Sequence, residues 1–362
     1  MPISKKVLPT RAATLADVGR AAGVSAMAAS AVLNSARTSS RIAPETRKRI
    51  LAAAARLNYR PNIAARALAN RRMHTLGVVA VTDRGALNHY FLELLGGILA
   101  TAGAHEENTT VFAIHDWKKD AGRLHGMCDG RIDGLILLAP TLPRASASLL
   151  PAHTPFVALH ANSRIRNVLN IESDEEHGAR QMTRHLIAQG HRDIMHITGP
   201  RGFIGAERRI RGYKQALADA GIPPAESRLV PAGFSTAGGR EALIQWLRHH
   251  RGEPLPTAIF CANDGVAMGC LEVFAEIGLR VPDDISIAGF DDTLAARLTV
   301  PALTTVRQPL QAMGSRAVEA LLDRIQQPGS SAPREPIVFP VELIVRNSVG
   351  RPPAPPRTVP EI

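Results

Sequence analysis

Residues 14–34 read TLADVGRAAGVSAMAASAVLN, and their spacing predicts two short helices joined by a tight turn. Thr14 offers an N-cap hydroxyl, and Asp17 follows three positions on, at the positive end of the helix. Leu15, Val18 and Ala22 share one helical face. Gly23 supplies the turn and Ser25 caps a second helix running to Leu33, with Val24, Ala29, Val32 and Leu33 able to face the first. A third helix has Pro44 in its first turn, where a missing N–H costs nothing. It runs to about Leu57, with Ile50, Leu51, Ala54 and Leu57 inward. Two helices joined by a glycine-containing turn form a helix-turn-helix, whose second helix enters the DNA major groove. A generic three-helix domain with a solvated basic surface fits the same pattern, and the helices alone leave both readings open.

Charge is concentrated in the same region. Met1 to Thr75 holds 14 Lys and Arg against two acids, Asp17 and Glu45, while the whole chain of 362 residues carries a formal +11. The remainder is therefore near neutral. A basic module of this kind is the footprint of a polyanion partner, because each neutralised phosphate releases counterions. The two parts of the chain are expected to have different partners.

Other classes are disfavoured by what the chain lacks. It has no run of about 18 apolar residues, so no membrane span is expected. Met1 to Thr14 has bases but no apolar core or cleavage site of a secretory signal. Cys128, Cys261 and Cys270 are an odd number without metal-type spacing, and read as reduced core thiols of a cytoplasmic protein. No metal and no cofactor are expected. GPRGFIG follows a strand, but its glycines are spaced GxxGxxG, and no Walker loop, HExxH or GxSxG occurs. The chain is therefore not expected to be an enzyme.

After Arg72 short apolar runs alternate with helical stretches: GVVAVTD, VFAIHD, GLILLAP, FVALHA, IMHITG, AIFCAN and ISIAGF. Such alternation predicts parallel sheets covered on both faces, with too many strands for one ordinary sheet. Ligands of these sheets bind beyond the carboxyl ends of the strands. That rule nominates Tyr90 and Phe91 after the first strand, His160 at the end of the fourth, and Arg209 in the helix after ITGP. It also nominates Phe234, Asn263 with Asp264, and Asp291. Arg209 can clamp ring oxygens or an anion, and Asp291 can accept two hydroxyl hydrogen bonds, as sugar recognition requires. Asp291 could instead cap a helix in the FDDT turn, His160 could be a satisfied structural group, and Phe234 could be core.

The segment NYRPNIAARALANRR (58–72), together with TLADVGRAAGVS, GHRDIMHITGP, the AND of 262–264, LRVPDDISIAGFDD and PALTTVRQP, resembles the LacI/GalR family of bacterial transcriptional repressors over about residues 14–350. The resemblance implies a helix-turn-helix head (1–60), a hinge helix and linker (61–73), and a periplasmic-binding-protein-like body of two doubly wound lobes (74–350). Residues 351–362 form a Pro-rich tail expected to be disordered. It implies lobes that exchange chain near 160–175, 290–305 and 330. It also implies a homodimer on double-stranded operator DNA, whose affinity for that DNA is set by a small-molecule effector between the lobes. Thr14, Ser25, Ala26, Met27, Ser30, Asn34, Asn62, Ala65, Arg66 and Leu68 fall at DNA-contacting positions, with Leu68 matching a leucine wedge inserted from the minor groove. Phe91, His160, Arg209, Phe234, Asn263 and Asp291 match or adjoin effector positions. A sugar or sugar acid is the expected effector, with a purine or other co-repressing metabolite as alternative. A transport-type binding protein would have no use for the basic head.

The head departs from the family. Ala26, Met27 and Ala28 stand where many members carry large polar residues, Ala31 replaces a frequent arginine, and the loop holding Arg37 and Arg41 is longer. Direct base readout is expected to be lean, with more weight on phosphates and DNA deformability.

Overall fold

The computed structural model describes residues 12–33, 42–60, 72–82, 88–142, 150–329, 331–333 and 335–359. The chain divides into two units, Met1–His74 and Thr75–Ile362.

The first unit contains α1 (Leu15–Ala22), α2 (Ala26–Leu33) and α3 (Pro44–Arg56). At the start of α1, Thr14 Oγ1 accepts from the Asp17 backbone N–H and the Asp17 carboxylate accepts from the Thr14 N–H at 3.0 Å, which satisfies two donors that a helix end leaves open. Gly23 ends the helix at φ 67°, a left-handed conformation suited to glycine. Ser25 Oγ accepts from the Ala28 N–H at 3.1 Å and so caps α2. Val18, Ala22, Ala29, Val32, Ile50, Ala53 and Ala54 make the core of this unit. Leu51, expected inward, is 48% exposed instead. The stripe of α3 that meets the other helices is centred on Ile50, Ala53 and Ala54, and Leu51 lies about 100° round from Ile50.

The second unit begins with β1 (Thr75–Val81), α4 (His89–Ala104), β2 (Asn108–Ile114), α5 (Trp117–Asp120), α6 (Leu124–Met127), β3 (Gly134–Leu138), β4 (Phe156–Leu159) and β5 (Leu169–Ser173). It continues through α7 (Glu175–Ala188), β6 (Ile194–Thr198), α8 (Ile204–Asp219), β7 (Leu229–Pro231), α9 (Thr236–His249), β8 (Ala258–Cys261), α10 (Asp264–Glu276) and β9 (Ser286–Ala288). It closes with α11 (Leu294–Leu298), β10 (Thr305–Arg307), α12 (Leu310–Gln326), β11 (Ile337–Phe339) and β12 (Glu342–Ile344). One sheet has the order β11-β5-β4-β3-β1-β2 and the other β7-β6-β8-β9. Every neighbouring pair within each is parallel. The central strands β3, β4, β6 and β8 are buried along their whole length, which is why they read as unbroken apolar runs.

The chain crosses between lobes three times: between β5 and α7, between β9 and α12, and between β11 and β12. The last lies near residue 340 rather than 330, because β11 still pairs with β5 of the first sheet. β10 and β12 pair antiparallel against the second lobe, Thr305 opposite Ile344. The C-terminal part of the crossing is locked onto the first lobe by α12, which packs on α4 at a pair of glycines. A Cβ on Gly97 would sit 1.9 Å from the Gln311 carbonyl, and one on Gly314 would sit 2.3 Å from that of Leu94. Only glycine allows these backbones so close.

The tail corrects an expectation. Residues 351–359 lie against the second lobe, and residues 360–362 are outside the described residues. Leu255 N–H donates to the Arg357 carbonyl at 2.8 Å, Val359 N–H to that of Glu253 at 2.9 Å, and Arg357 pairs with Asp284 at 2.7 Å. Val359 is 4% exposed, within the cluster that contains Trp246 and Leu255. Proline richness set the expectation of disorder, but one apolar residue beyond the prolines fills a core site. Deleting 351–362 is expected to cost about 2–4 kcal/mol, from one buried valine and its backbone hydrogen bonds. Urea unfolding of the truncated chain at unchanged m-value measures it.

Candidate functional site

The carboxyl ends of both sheets open on one cleft of about 740 Å³, the size of small-molecule sites in general. Phe91, His160, Arg209, Phe234, Asn263 and Asp291 all line it, as does Tyr90. They arrive from separate strand ends, which is what a doubly wound topology provides.

On the first lobe, Asn88 caps α4 by accepting from the Phe91 N–H at 2.9 Å, and this fixes where Tyr90 points. Phe91 is only 8% exposed and belongs mainly to the lobe's core. His160 follows β4 in a left-handed conformation, φ 49°. The Ser173 N–H donates to its Nε2 at 3.3 Å, so Nε2 is the acceptor, and Nδ1–H then donates to the Tyr90 hydroxyl oxygen 2.5 Å away. This tautomer is assigned from the partners. Burial pushes the His160 imidazole down to about 4, against the pull of the Glu175 carboxylate, so the ring is neutral near pH 7. Ser173 Oγ lies 3.1 Å from His160 Nε2, a spacing seen between nucleophiles and bases. Ser173 is 1% exposed, however, and its hydroxyl donates to the Gln308 carbonyl oxygen. The pair is built as scaffold rather than as a nucleophile facing a substrate.

On the second lobe, Arg209 is 6% exposed. Its Nη1 donates to the Ala262 carbonyl at 2.6 Å, Nη2 meets Glu175 Oε1 at 3.3 Å, and its guanidinium lies 4.1 Å from the centre of the Phe290 ring. Its buried Nε–H has no hydrogen-bond partner among the described residues. Glu175 also meets Arg208 at 3.3 Å, and Arg208 meets Glu172 at 2.7 Å. Both cleft arginines are thus compensated from the α7 side. Phe234 packs edge-on to Phe203 at 5.9 Å and occupies the room left by Gly199, where a Cβ would fall 2.4 Å from the ring. Asn263 is taken up structurally: Oδ1 accepts from the Val266 N–H at 2.9 Å to cap α10, and Nδ2 donates to the Phe234 carbonyl at 3.0 Å.

Asp291 is not a helix cap, since Thr293 holds the N-cap position of α11. Its backbone is left-handed at φ 113°, its N–H donates to the Val306 carbonyl at 2.8 Å, and its Oδ1 accepts from Gln308 Nε2 at 2.6 Å. Burial raises its pKa above the ordinary carboxylate range, and Arg209 and Gln308 oppose that rise. Asp264, beneath it, is raised too, by burial and then by repulsion from Asp291. Asp264 accepts from the Thr293 N–H at 2.8 Å, from the Thr293 hydroxyl at 3.1 Å and from the Thr305 hydroxyl at 2.6 Å.

The strand-end rule missed Gln308, Ser173 and Glu175. Gln308 sits in a crossing segment rather than at the end of an apolar run, and only its place in PALTTVRQP pointed to it. Glu175 was visible only as part of the acidic run ESDEE. In the head, Thr14, Ser25, Ala26 and Met27 are exposed and Ser30 is half-buried. Thr14 and Ser25 also serve as helix caps. Asn34, Asn62, Ala65, Arg66, Leu68 and the hinge segment lie outside the described residues. Among the described residues no three His, Cys, Asp or Glu side chains gather as a metal site, and no helix is long and apolar enough to cross a membrane.

Residues 14–62 match the family model described as bacterial regulatory proteins, lacI family, and residues 183–349 that of a periplasmic binding protein-like domain. The chain belongs to the lacI family of bacterial regulatory proteins. It is 32% identical over 341 residues to the probable HTH-type transcriptional repressor ExuR of Bacillus subtilis, covering 93% of this chain and 98% of that protein. It is 35% identical to the HTH-type transcriptional repressor PurR of Erwinia tasmaniensis, over 86% and 90% of the two chains. Among solved structures, the lac repressor dimer bound to operator and the anti-inducer ONPF aligns with TM-score 0.79 at 29% identity, over 94% of this chain and 100% of that one. The CelR–cellobiose complex aligns with TM-score 0.67 at 28% identity, over 93% and 99%. These relatives are transcriptional regulators rather than enzymes.

Two buried imidazoles, His160 at the cleft and His196 within β6, give the body a pH signature. His196 stacks on Phe260 at 4.6 Å and its Nδ1 lies 2.8 Å from the Phe260 carbonyl. Burial lowers His196, like His160, to about 4. The unfolded chain protonates both rings below about pH 6.5 while the native chain does not until about pH 4, so stability falls as pH drops through that window. Long-range ¹H–¹⁵N spectra should show two histidines that stay neutral from pH 7 to 5, and both should become titratable near 6.5 on unfolding in urea.

Proposed function

We propose that this chain is a homodimeric transcriptional repressor whose operator affinity is set by a small polyhydroxylated ligand, a sugar or sugar acid, held in the cleft by Arg209 and Asp291. The observation that carries the reading is the meeting of Asp291 and Arg209 in one cleft whose walls include Trp117, Phe203 and Phe234. A carboxylate with one oxygen committed to Gln308 leaves the other for ligand hydroxyls, the partly satisfied guanidinium can add a donor, and aromatic walls take the apolar face of a sugar ring. Neighbouring structures support the same class, one being a cellobiose complex and another a lacI family regulator from Enterococcus faecium with bound ribose. A purine is the second reading, favoured by the same aromatic walls, which could stack on a planar base.

A ligand here can act only through different affinities for two states of the body, a coupling typically of about 1–3 kcal/mol. The cleft is lined from both lobes and three crossings join them, so a ligand there bears on both lobes at once.

Full-length chain, with duplexes selected from a random-sequence pool, is the system for the test. A panel of hexoses, hexuronates and purine bases is screened by thermal shift, and hits are titrated against the protein–DNA complex. A hexose or hexuronate should raise Tm and change DNA affinity by about 5–150-fold. Asp291→Asn should weaken that ligand by about tenfold or more, for a lost charge-assisted hydrogen bond, and leave ligand-independent DNA binding intact. Response to purines alone, or to none of the panel, overturns the sugar reading.

A further inference from the structure

The first turn of α2, Ala26 to Ala28, presents side chains that cannot hydrogen-bond to a base. Ala26 and Met27 face solvent, Ala28 is half-buried, and the helix AMAASAVL carries no charge, amide or ring. Met27 is 78% exposed, so it returns almost nothing to the core that Ala29 and Val32 build on the opposite side. The Ser25 hydroxyl oxygen is occupied in capping the helix. In a helix-turn-helix the N-terminal residues of the second helix are the ones that reach base edges. The surplus of bases in residues 1–75 makes duplex DNA, rather than a protein groove, the surface this helix meets.

In the major groove an apolar side chain finds one complementary feature, the 5-methyl group of thymine. Methionine suits that contact, being long, unbranched and polarizable, with neighbours too small to hold it off. We infer that Met27 is a specificity-determining residue that reads a pyrimidine 5-methyl group in each operator half-site, a thymine in unmodified DNA. The inference rests on the reading of the chain as a DNA-binding regulator. It makes the protein a detector of shape and methylation at that position, where arginine or glutamine would make it a detector of hydrogen-bond pattern.

The test replaces thymine by deoxyuridine, which removes the methyl and keeps every hydrogen-bonding group of the base. Full-length chain first enriches a site from a random-sequence duplex pool. Fluorescence anisotropy at one fixed salt concentration then measures that site with deoxyuridine placed at single positions. At one position per half-site the replacement should weaken the wild-type chain about fourfold, and about fifteenfold when both half-sites carry it, as loss of roughly one buried methyl each requires. The M27A chain should respond by less than about twofold to the same replacements, having lost the contact. Its affinity should keep the wild-type dependence on salt, because phosphate contacts are untouched. A wild-type chain indifferent to deoxyuridine at every position, or an M27A chain as sensitive as wild type, overturns the assignment. Failure to enrich any sequence overturns the DNA-binding reading beneath it, which is a separate result.

Discussion

The side chain of Gln308 joins the two lobes. Its amide nitrogen donates to Asp291 at 2.6 Å, and its carbonyl oxygen accepts from Ser173, which in turn fixes His160 and through it Tyr90. Each group in this chain is buried or half-buried, and each has a donor facing an acceptor. An unmade hydrogen bond in such a place costs the full desolvation of the orphaned group. The relative positions of the cleft's polar groups on both lobes are therefore tied to one segment, the crossing that contains β10. A change in lobe closure has to carry Asp291 and His160 with it or break the chain.

Charge in the cleft is arranged by the same economy. Arg208 and Arg209 would be a strong cationic pair in an open site, but Glu172 and Glu175 meet them from the first turn of α7 and the strand before it. On the proposed reading, what remains for a ligand is a set of directed groups: the Asp291 oxygen, the Tyr90 hydroxyl, one guanidinium Nε–H and the aromatic walls. Such a set discriminates by geometry, because a ligand that leaves one of these buried groups unmatched loses the bond and keeps the cost.

Head and body use opposite strategies toward their partners. On the proposed reading, the body meets its ligand with buried polar atoms held at fixed distances. The head meets DNA with a basic surface that any sequence can satisfy, and with a second helix whose exposed residues are alanine and methionine. On the proposed reading of Met27, specificity of the head comes from methyl contacts, from the deformability of the duplex and from pairing two heads at a set spacing.

Periodicity was enough for the helices of the head and the buried strands, since a 3.6-residue stripe or an unbroken apolar run reports burial directly. The strand-end rule reached Tyr90, His160, Arg209 and Asp291 because topology alone carries strand ends to one side of a sheet. It gave no sign that Asn263 spends its amide on capping α10, that Phe91 is mainly core, or that Val359 fills a core site of the second lobe. The bond from Asn263 Nδ2 to the Phe234 carbonyl, 29 residues away, and the seat of Val359 beside Trp246 and Leu255 depend on neighbours distant in sequence. Short strands such as β10 and β12 carry too few residues for a pattern and exist through pairing, β10 with β12 and, at Arg307, with Asp291. What the amino-acid sequence by itself determined is where charge and apolar surface lie along the chain, and hence the two-part division, the helix-turn-helix and the layered sheets. Which buried donor meets which acceptor was decided only in three dimensions, because hydrogen bonds over about 3 Å are set by packing that no local spacing encodes.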